Sequence, residues 1–306
     1  MCRRAGRHPD RAGTAASCRA GAQALHRGHG VIRHHFTVDV EEYFQVSAFE
    51  GIVPRADWDR IAARTPSIMP RLLEQLARYG ARGTFFVLGW VARRHPNVIR
   101  DIQRAGHEIA SHGWDHARVR PEGQVEFRDS VRRSKRELED LTGEPVRGFR
   151  APSFSIVPGR EWALDVLIEE GYGYDSSLFP IRRPGYGYPG AAPDPHWLVR
   201  PAGRVAEIPP TTLDCCGVRI PAAGGAYFRI LPYALTRAAF RSCERRGLPG
   251  TFYIHPWEID PAQPRLRVPW HTRLRHYSGL AGTADRLERL LADFRFGPIA
   301  DTVAML

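Results

Sequence analysis

The chain is almost devoid of lysine. Of its 44 basic residues 43 are arginine, and Lys135 is the exception. Against 33 acids this leaves a net charge of +11. Phosphate-binding proteins gather such cations into stripes or patches. Here no run of five or more like charges occurs in the body of the sequence, and the arginines are spread over polar faces. Six of them (Arg3, Arg4, Arg7, Arg11, Arg19 and Arg27) stand in the first 30 residues against one acid, Asp10, so that stretch carries +5 and the remainder +6. The distribution argues against a nucleic-acid partner.

Cysteine is also scarce. Cys2, Cys18, Cys215, Cys216 and Cys243 form an odd set without a Cys-x-x-Cys pair, which excludes a disulfide framework and suits a reducing compartment. Long hydrophobic runs are missing too. None approaches the roughly 18 residues of a membrane span. Arg19 and Arg27 interrupt the small-residue stretch near the N-terminus, so no signal-peptide core is expected there. These absences lead to the expectation of a cytoplasmic protein without a membrane span. Residues 1–30 are expected to be a basic tail or an artefact of start-site choice, with folded sequence from near Val31.

What is present is enough apolar sequence, 43% of 306 residues, to build a substantial core. Short apolar strands alternate with amphipathic helices. Strands are predicted at 35–40, 84–88, 108–111, 146–150, 172–175, 205–209 and 250–255. Helices are predicted at 67–79, 96–105, 124–141, 160–170 and 233–246, and a final helix is expected to be capped by Thr283. The Pro- and Gly-rich stretch 180–201 reads as an extended loop. This alternation indicates an α/β domain with a mostly parallel sheet, of a length that suits a barrel.

Polar residues cluster where the strands end. Asp39, His112, Arg150, Asp175 and His255 each fall at or just after a strand's C-terminal end, the edge at which parallel α/β folds collect functional groups. His112 and His116 are four apart, and on one helical turn they would share a face and a metal ion. His107-Glu108 is followed by His112 at five residues, so no His-Glu-x-x-His is formed. A third ligand would come from the acids after the first strand. Alternation along that strand puts Asp39 and Glu41 on one side and Val40 on the other. Asp39 is therefore assigned as a base and Glu41 as a ligand, with Glu42 as the alternative ligand. Arg150 is placed to orient Asp39 and keep it ionised. His255 is either a core histidine or a general acid. Phe154, Tyr186, Tyr227 and Trp257 are either packing or the stacking walls of a groove.

The segments Thr37-Val-Asp-Val-Glu-Glu-Tyr-Phe44, Ser111-His-Gly-Trp-Asp-His116, Arg150-Ala-Pro-Ser-Phe154, Tyr174-Asp-Ser-Ser177 and Ile254-His255 follow in an order that resembles the NodB-homology polysaccharide deacetylases, carbohydrate esterase family four. Gly224-Gly-Ala-Tyr-Phe-Arg229, His255-Pro-Trp-Glu258 and Arg275-His-Tyr277 are similar to one subgroup, which accompanies exosortase and PEP-CTERM exopolysaccharide loci. The resemblance covers nearly all of 31–306 and implies a distorted (β/α) barrel of about seven parallel strands, with 256–306 as a subgroup extension. It implies a divalent metal, most often Zn2+, and removal of N-acetyl groups from an amino-sugar polymer, in contact with exopolysaccharide synthesis machinery. By the same resemblance Asp39 is the base, His112 and His116 are the metal histidines, Arg150 tethers the base and His255 is the acid. The Phe154 backbone N–H would hold the oxyanion, and Asp175, Tyr227 and Trp257 would face the substrate. The family's usual pair of adjacent aspartates is broken, because Val40 stands at the ligand position. That departure keeps two alternatives open: a metal-independent hydrolase of cyclic amides, of allantoin or imide type, and a non-catalytic carbohydrate-binding protein.

Overall fold

The structure is a computed structural model that describes residues 31–183 and 185–306. The expected basic tail, 1–30, lies outside the described residues. The first strand, β1 (His34–Val40), is buried along its whole length. It is followed by β2 (Thr84–Val87), β3 (Glu108–Ser111), β4 (Gly148–Phe149), β5 (Tyr174–Asp175), β6 (His196–Arg200), β7 (Gly203–Glu207), β8 (Thr212–Cys215), β9 (Val218–Pro221), β10 (Thr251–Ile254) and β11 (Phe296–Gly297). The main sheet runs β10-β1-β2-β3-β4-β5-β7-β6, with β11 against β1. From β10 to β7 every pairing is parallel, which gives the seven parallel strands expected. No ladder joins β7 to β10. The chain after β7 reaches β10 instead, through Thr211 N–H to Thr251 O and Tyr253 N–H to Ala223 O.

The strands alternate between two environments, as a two-residue period requires. Phe36, Val38 and Val40, with Phe85, Val87, Phe149, Phe252 and Ile254, pack outward against the helices. Those helices include Thr65–Arg78, Pro96–Arg104, Gln124–Thr142, Trp162–Glu169 and Tyr233–Arg245, each close to its predicted bounds. A smaller cluster of Phe86, Ala110, Tyr174, Ala206, Ile208 and Ile299 packs separately on the inner side. The C-terminal helix Ile299–Val303 covers the beginnings of the strands. Its Ile299 N–H donates to Thr84 Oγ1, its Ala300 N–H to Glu108, and Thr302 Oγ1 bonds the His35 ring. With that end closed, the strands' C-terminal ends face a large opening lined by inner residues.

Three expectations need correction. The sixth strand begins at Gly203 rather than Val205, and it pairs antiparallel with β6, which lies inside the stretch expected to be a loop. Proline and glycine upstream hid β6, and as a partly exposed edge strand it takes its form from its partner. A second hairpin, β8–β9, turns on Cys216 and Gly217, which have φ of 54° and 79°. Such turns usually declare themselves by Asn-Gly or Asp-Gly, and Cys-Gly carries no comparable signal. Thr283 does not cap its helix from outside. It is the first residue of Thr283–Asp293, and its hydroxyl donates to Gly279 O.

Gly148 on β4 sits where no side chain fits. A Cβ there would lie 2.0 Å from Cζ of Tyr174, whose hydroxyl is held by Glu108 at 2.8 Å. Gly148→Ala is expected to cost about 1–3 kcal/mol of stability through overpacking. Urea denaturation checks this, and an unchanged midpoint would contradict the tight approach.

Candidate active site

The inner positions at the strand ends converge on a cavity of about 430 Å³. Arg150, directly after β4, is fully buried beneath it. Its Nη1 donates to Asp39 Oδ1 and to Thr37 Oγ1, both at 2.7 Å. Its Nη2 and Nε donate to Ser176 Oγ and O, and its guanidinium carbon lies 4.1 Å from the Phe86 ring centre. Asp39 thus holds one oxygen on the arginine, and its other, Oδ2, lies 3.8 Å from His255 Nε2.

His112 and His116 do meet, but not on a helical turn. The chain after β3 runs through Gly113 at φ 78° and His116 at φ 56°, and this irregular turn brings the two rings to 5.5 Å. His112 Nδ1 lies 2.7 Å from Arg150 O. A carbonyl only accepts, so Nδ1 carries the hydrogen and Nε2 is left with its lone pair. Burial holds His112 down to a pKa of about 4, against the opposing pull of Asp39, so it is neutral near pH 7. Glu41 Oε2 lies 2.7 Å from His116 Nε2, yet it accepts no well-aligned hydrogen bond. Burial alone would raise Glu41, but the neighbouring His116 and His255 outweigh it and draw its pKa to about 2. One ligand atom from each of Glu41, His112 and His116 falls within 4.8 Å of the others. Two imidazoles and one carboxylate, with one lone pair already fixed by a backbone carbonyl, are a donor set that fits a divalent metal.

His255 stands opposite, at the end of β10. Burial disfavours its charge, but the carboxylates of Glu41, Glu258 and Asp39 prevail and raise its pKa to about 9. Its Nδ1 lies 2.9 Å from Glu258 Oε2, which also accepts the His255 backbone N–H. Glu258 in turn accepts from Arg229 Nε at 2.7 Å. Burial pushes Glu258 up, while Arg229 and His255 bring it down to about 2. Sequence reasoning assigned no role to Glu258 or Arg229. Their residue types are visible in His-Pro-Trp-Glu258 and Tyr-Phe-Arg229, but the 29-residue gap hides their pairing.

Trp257 lines the cavity, as expected, but not as an open stacking wall. One face stacks on His255 at 5.0 Å and the other on His276 at 4.3 Å, so no face is free for a sugar. Its Nε1 donates to Glu41 Oε1 at 3.2 Å, so it orients both the carboxylate and the imidazole. Phe154 and Tyr227 line the cavity. The Phe154 N–H is already given to Ala151 O at 2.9 Å, which corrects its assignment as an oxyanion donor. The Tyr227 hydroxyl meets those of Tyr186, at 2.5 Å, and Arg183 Nε. Asp175 does not line the cavity. Tyr174 and Ser176 take the inner positions, and Asp175 turns outward to Ser177 and Glu207. Burial raises the pKa of both Asp175 and Glu207. Glu42 is not available as a ligand. Its carboxylate accepts the Arg64 and Thr65 N–H groups and tethers the start of the helix Thr65–Arg78.

Residues 58–159, which hold His112, His116 and Arg150, match the family model described as polysaccharide deacetylase. In this segment the chain is similar to that family. Residues 176–304, which hold His255, Glu258 and Arg229, match a domain of unknown function, DUF3473. The chain is similar to the peptidoglycan-N-acetylglucosamine deacetylase of Bacillus cereus, 28% identical over 134 residues, 40% of this chain and 48% of that protein. It is also similar to the chitooligosaccharide deacetylase of Azorhizobium caulinodans, 34% identical over 88 residues, 28% of this chain and 42% of that one. The aligned part thus spans less than half the length of either relative. Among solved structures, a Mycobacterium smegmatis protein described as a polysaccharide deacetylase aligns with a TM-score of 0.58 at 22% identity, covering 89% of this chain and 90% of that one. Puue allantoinase aligns at 0.57 and 19%, covering 92% of each chain. These two likenesses show the shared α/β fold.

Two predictions separate the acids. Glu41→Gln is expected to weaken divalent-metal binding by about tenfold or more in calorimetric titration. Glu42→Ala should leave that affinity intact and cost about 1 kcal/mol of stability through the lost helix start. Equal loss in both variants would contradict the assignment. For Glu258, a folded-state pKa below its ordinary value means stabilisation that is present above about pH 4.5 and lost as pH falls towards about 2. The gap in thermal midpoint between wild type and Glu258→Gln should therefore be wide at neutral pH and narrow in acid. A gap that is constant with pH would exclude the Arg229–Glu258–His255 linkage.

Proposed function

We propose that this protein is a metal-dependent hydrolase that removes N-acetyl groups from an amino-sugar polymer. The observation that carries the reading is the convergence of Asp39, Glu41, His112, His116, Arg150 and His255, from separate strand ends, on one cavity. The family of residues 58–159 supports the reaction class, and the named activities of the relatives support an N-acetylglucosamine polymer or oligosaccharide.

A divalent ion held by Glu41, His112 and His116, Zn2+ in this reading, would supply Lewis-acid polarisation of the acetamide carbonyl. The chain's own groups supply the proton transfers. Arg150 holds one oxygen of Asp39 and fixes the orientation of the carboxylate, which leaves Oδ2 to take a proton from the attacking water. His255, kept charged by the carboxylates around it, gives its Nε2 proton to the departing amine. Glu258 accepts from Nδ1 and fixes the ring so that Nε2 faces the cavity. Acetate and a free amino sugar result, and the polymer becomes locally cationic.

The motifs shared with the exosortase-associated subgroup support a place in exopolysaccharide biosynthesis, beside its synthesis machinery. Cytoplasmic location belongs to the same reading and is supported by the sparse, unpatterned cysteines. No described helix is long and apolar enough to cross a membrane.

Acetate release from N-acetylated amino-sugar oligomers tests the proposal. Asp39→Asn and His255→Ala are expected to slow release by about 10²–10⁴-fold. A chelator should abolish it and added metal restore it. Undiminished release by His112→Ala, or release that survives chelation, would exclude the metal mechanism, and opening of a cyclic amide that survives chelation, without acetate release from the oligomers, would indicate the metal-free alternative. Oligomer binding without turnover would indicate a carbohydrate-binding protein.

A further inference from the structure

The stretch 261–283 contains four arginines, Arg265, Arg267, Arg273 and Arg275, two histidines and no acid. All four arginines are exposed. None pairs with a carboxylate among the described residues, whereas most acids near the cavity are paired. The helix Trp270–Tyr277 divides its faces between two surroundings. His271, Thr272, Arg275 and His276 line the cavity. Trp270 and Leu274, one turn apart, point outward and are 77% and 59% exposed. An ordinary surface helix turns such a stripe inward.

The stripe does not stand alone. Arg265, Arg267 and Arg273, with Leu266, Val268 and the exposed Ile52, line an open groove of about 680 Å³. The result is one apolar patch rimmed by unpaired guanidinium groups, beside the mouth of the cavity. We propose that this face docks on an anionic phospholipid surface. Arginine meets lipid phosphate, while Trp270 sits at the headgroup boundary and Leu274 and Ile52 reach the acyl region. The aliphatic groups decide against a soluble polyanion, because Leu274 and Ile52 bury little against sugar hydroxyls or carboxylates. Charge decides against the chain's own first 30 residues, which carry +5. It also decides against a symmetric second copy, whose identical arginines would face these. Docking would place the cavity at the membrane surface, where a lipid-attached polymer could reach it.

Co-sedimentation of the full chain with vesicles tests this independently of catalysis. Strong binding is expected to phosphatidylglycerol–phosphatidylcholine vesicles, and binding about tenfold or more weaker to phosphatidylcholine alone. The double change Trp270→Glu and Leu274→Glu, and separately Arg267→Glu and Arg273→Glu, should each reduce binding about tenfold or more. Thermal midpoints should be unchanged, since none of these side chains is buried. The basic first 30 residues are present in every variant, so their contribution cancels. Full vesicle binding by the Trp270/Leu274 variant would overturn the proposal. So would a concentration-dependent dimer lost in that variant, which would assign the face to a second copy. Binding to soluble alginate but not to vesicles would assign it to a polyanion and equally overturn the proposal.

Discussion

The Arg150–Asp39 pair is the interaction on which the site depends. A buried guanidinium is costly unless its donors are met and its charge is balanced. Here Asp39 supplies the charge, Thr37 and Ser176 accept the remaining hydrogen bonds that are formed, and the Phe86 face lies alongside. These partners come from β1, β2 and the chain after β5, so one side chain ties together strands far apart in sequence. The same contacts leave Asp39 one oxygen free towards the cavity. Structural cohesion and a poised carboxylate therefore arise from a single arrangement.

Around that pair the site separates its imidazoles by environment. His112 is pressed towards neutrality by burial and donates Nδ1–H to a carbonyl, so it can act as a ligand. His255, partly exposed at the cavity and surrounded by three carboxylates, is pressed towards the charged form. Trp257 links the two halves, with its indole N–H on Glu41 and its face on His255. Loss of that indole would disturb a metal-side carboxylate and an acid together, although Trp257 itself transfers no proton.

Much of this was legible in the sequence. Strand-end position brought Asp39, Arg150 and His255 to one edge, because each follows or ends a short apolar strand, and the two-residue phase of the first strand set Asp39 and Glu41 on one side and Val40 on the other. The same phase, applied to Tyr174-Asp175-Ser176, would have sent Asp175 outward; strand-end position alone was not enough. Glu41 was reached by the same phase, but the role of Glu42 was hidden because its partners, Arg64 and Thr65, lie beyond a loop with no periodicity. The His112–His116 turn was misread as helical because a positive φ at a histidine has no sequence mark. The roles of Trp257, Glu258 and Arg229 depend on contacts across long separations, which local patterns do not encode.

The position of β1 has a consequence for the order of assembly. This strand opens the described chain, but its sheet neighbours on one side, β10 and β11, come more than 200 residues later. β1 carries Asp39 and leads into Glu41, and β10 delivers His255. During synthesis the first half of the site must wait, its carboxylates without their balancing imidazole, until the chain through β10 and β11 has left the ribosome. Loop closure on that scale makes folding slow compared with a helical protein of similar size. A nascent chain that lacks β10 would therefore hold only part of the site, with Asp39 and Glu41 in place and His255 still to come.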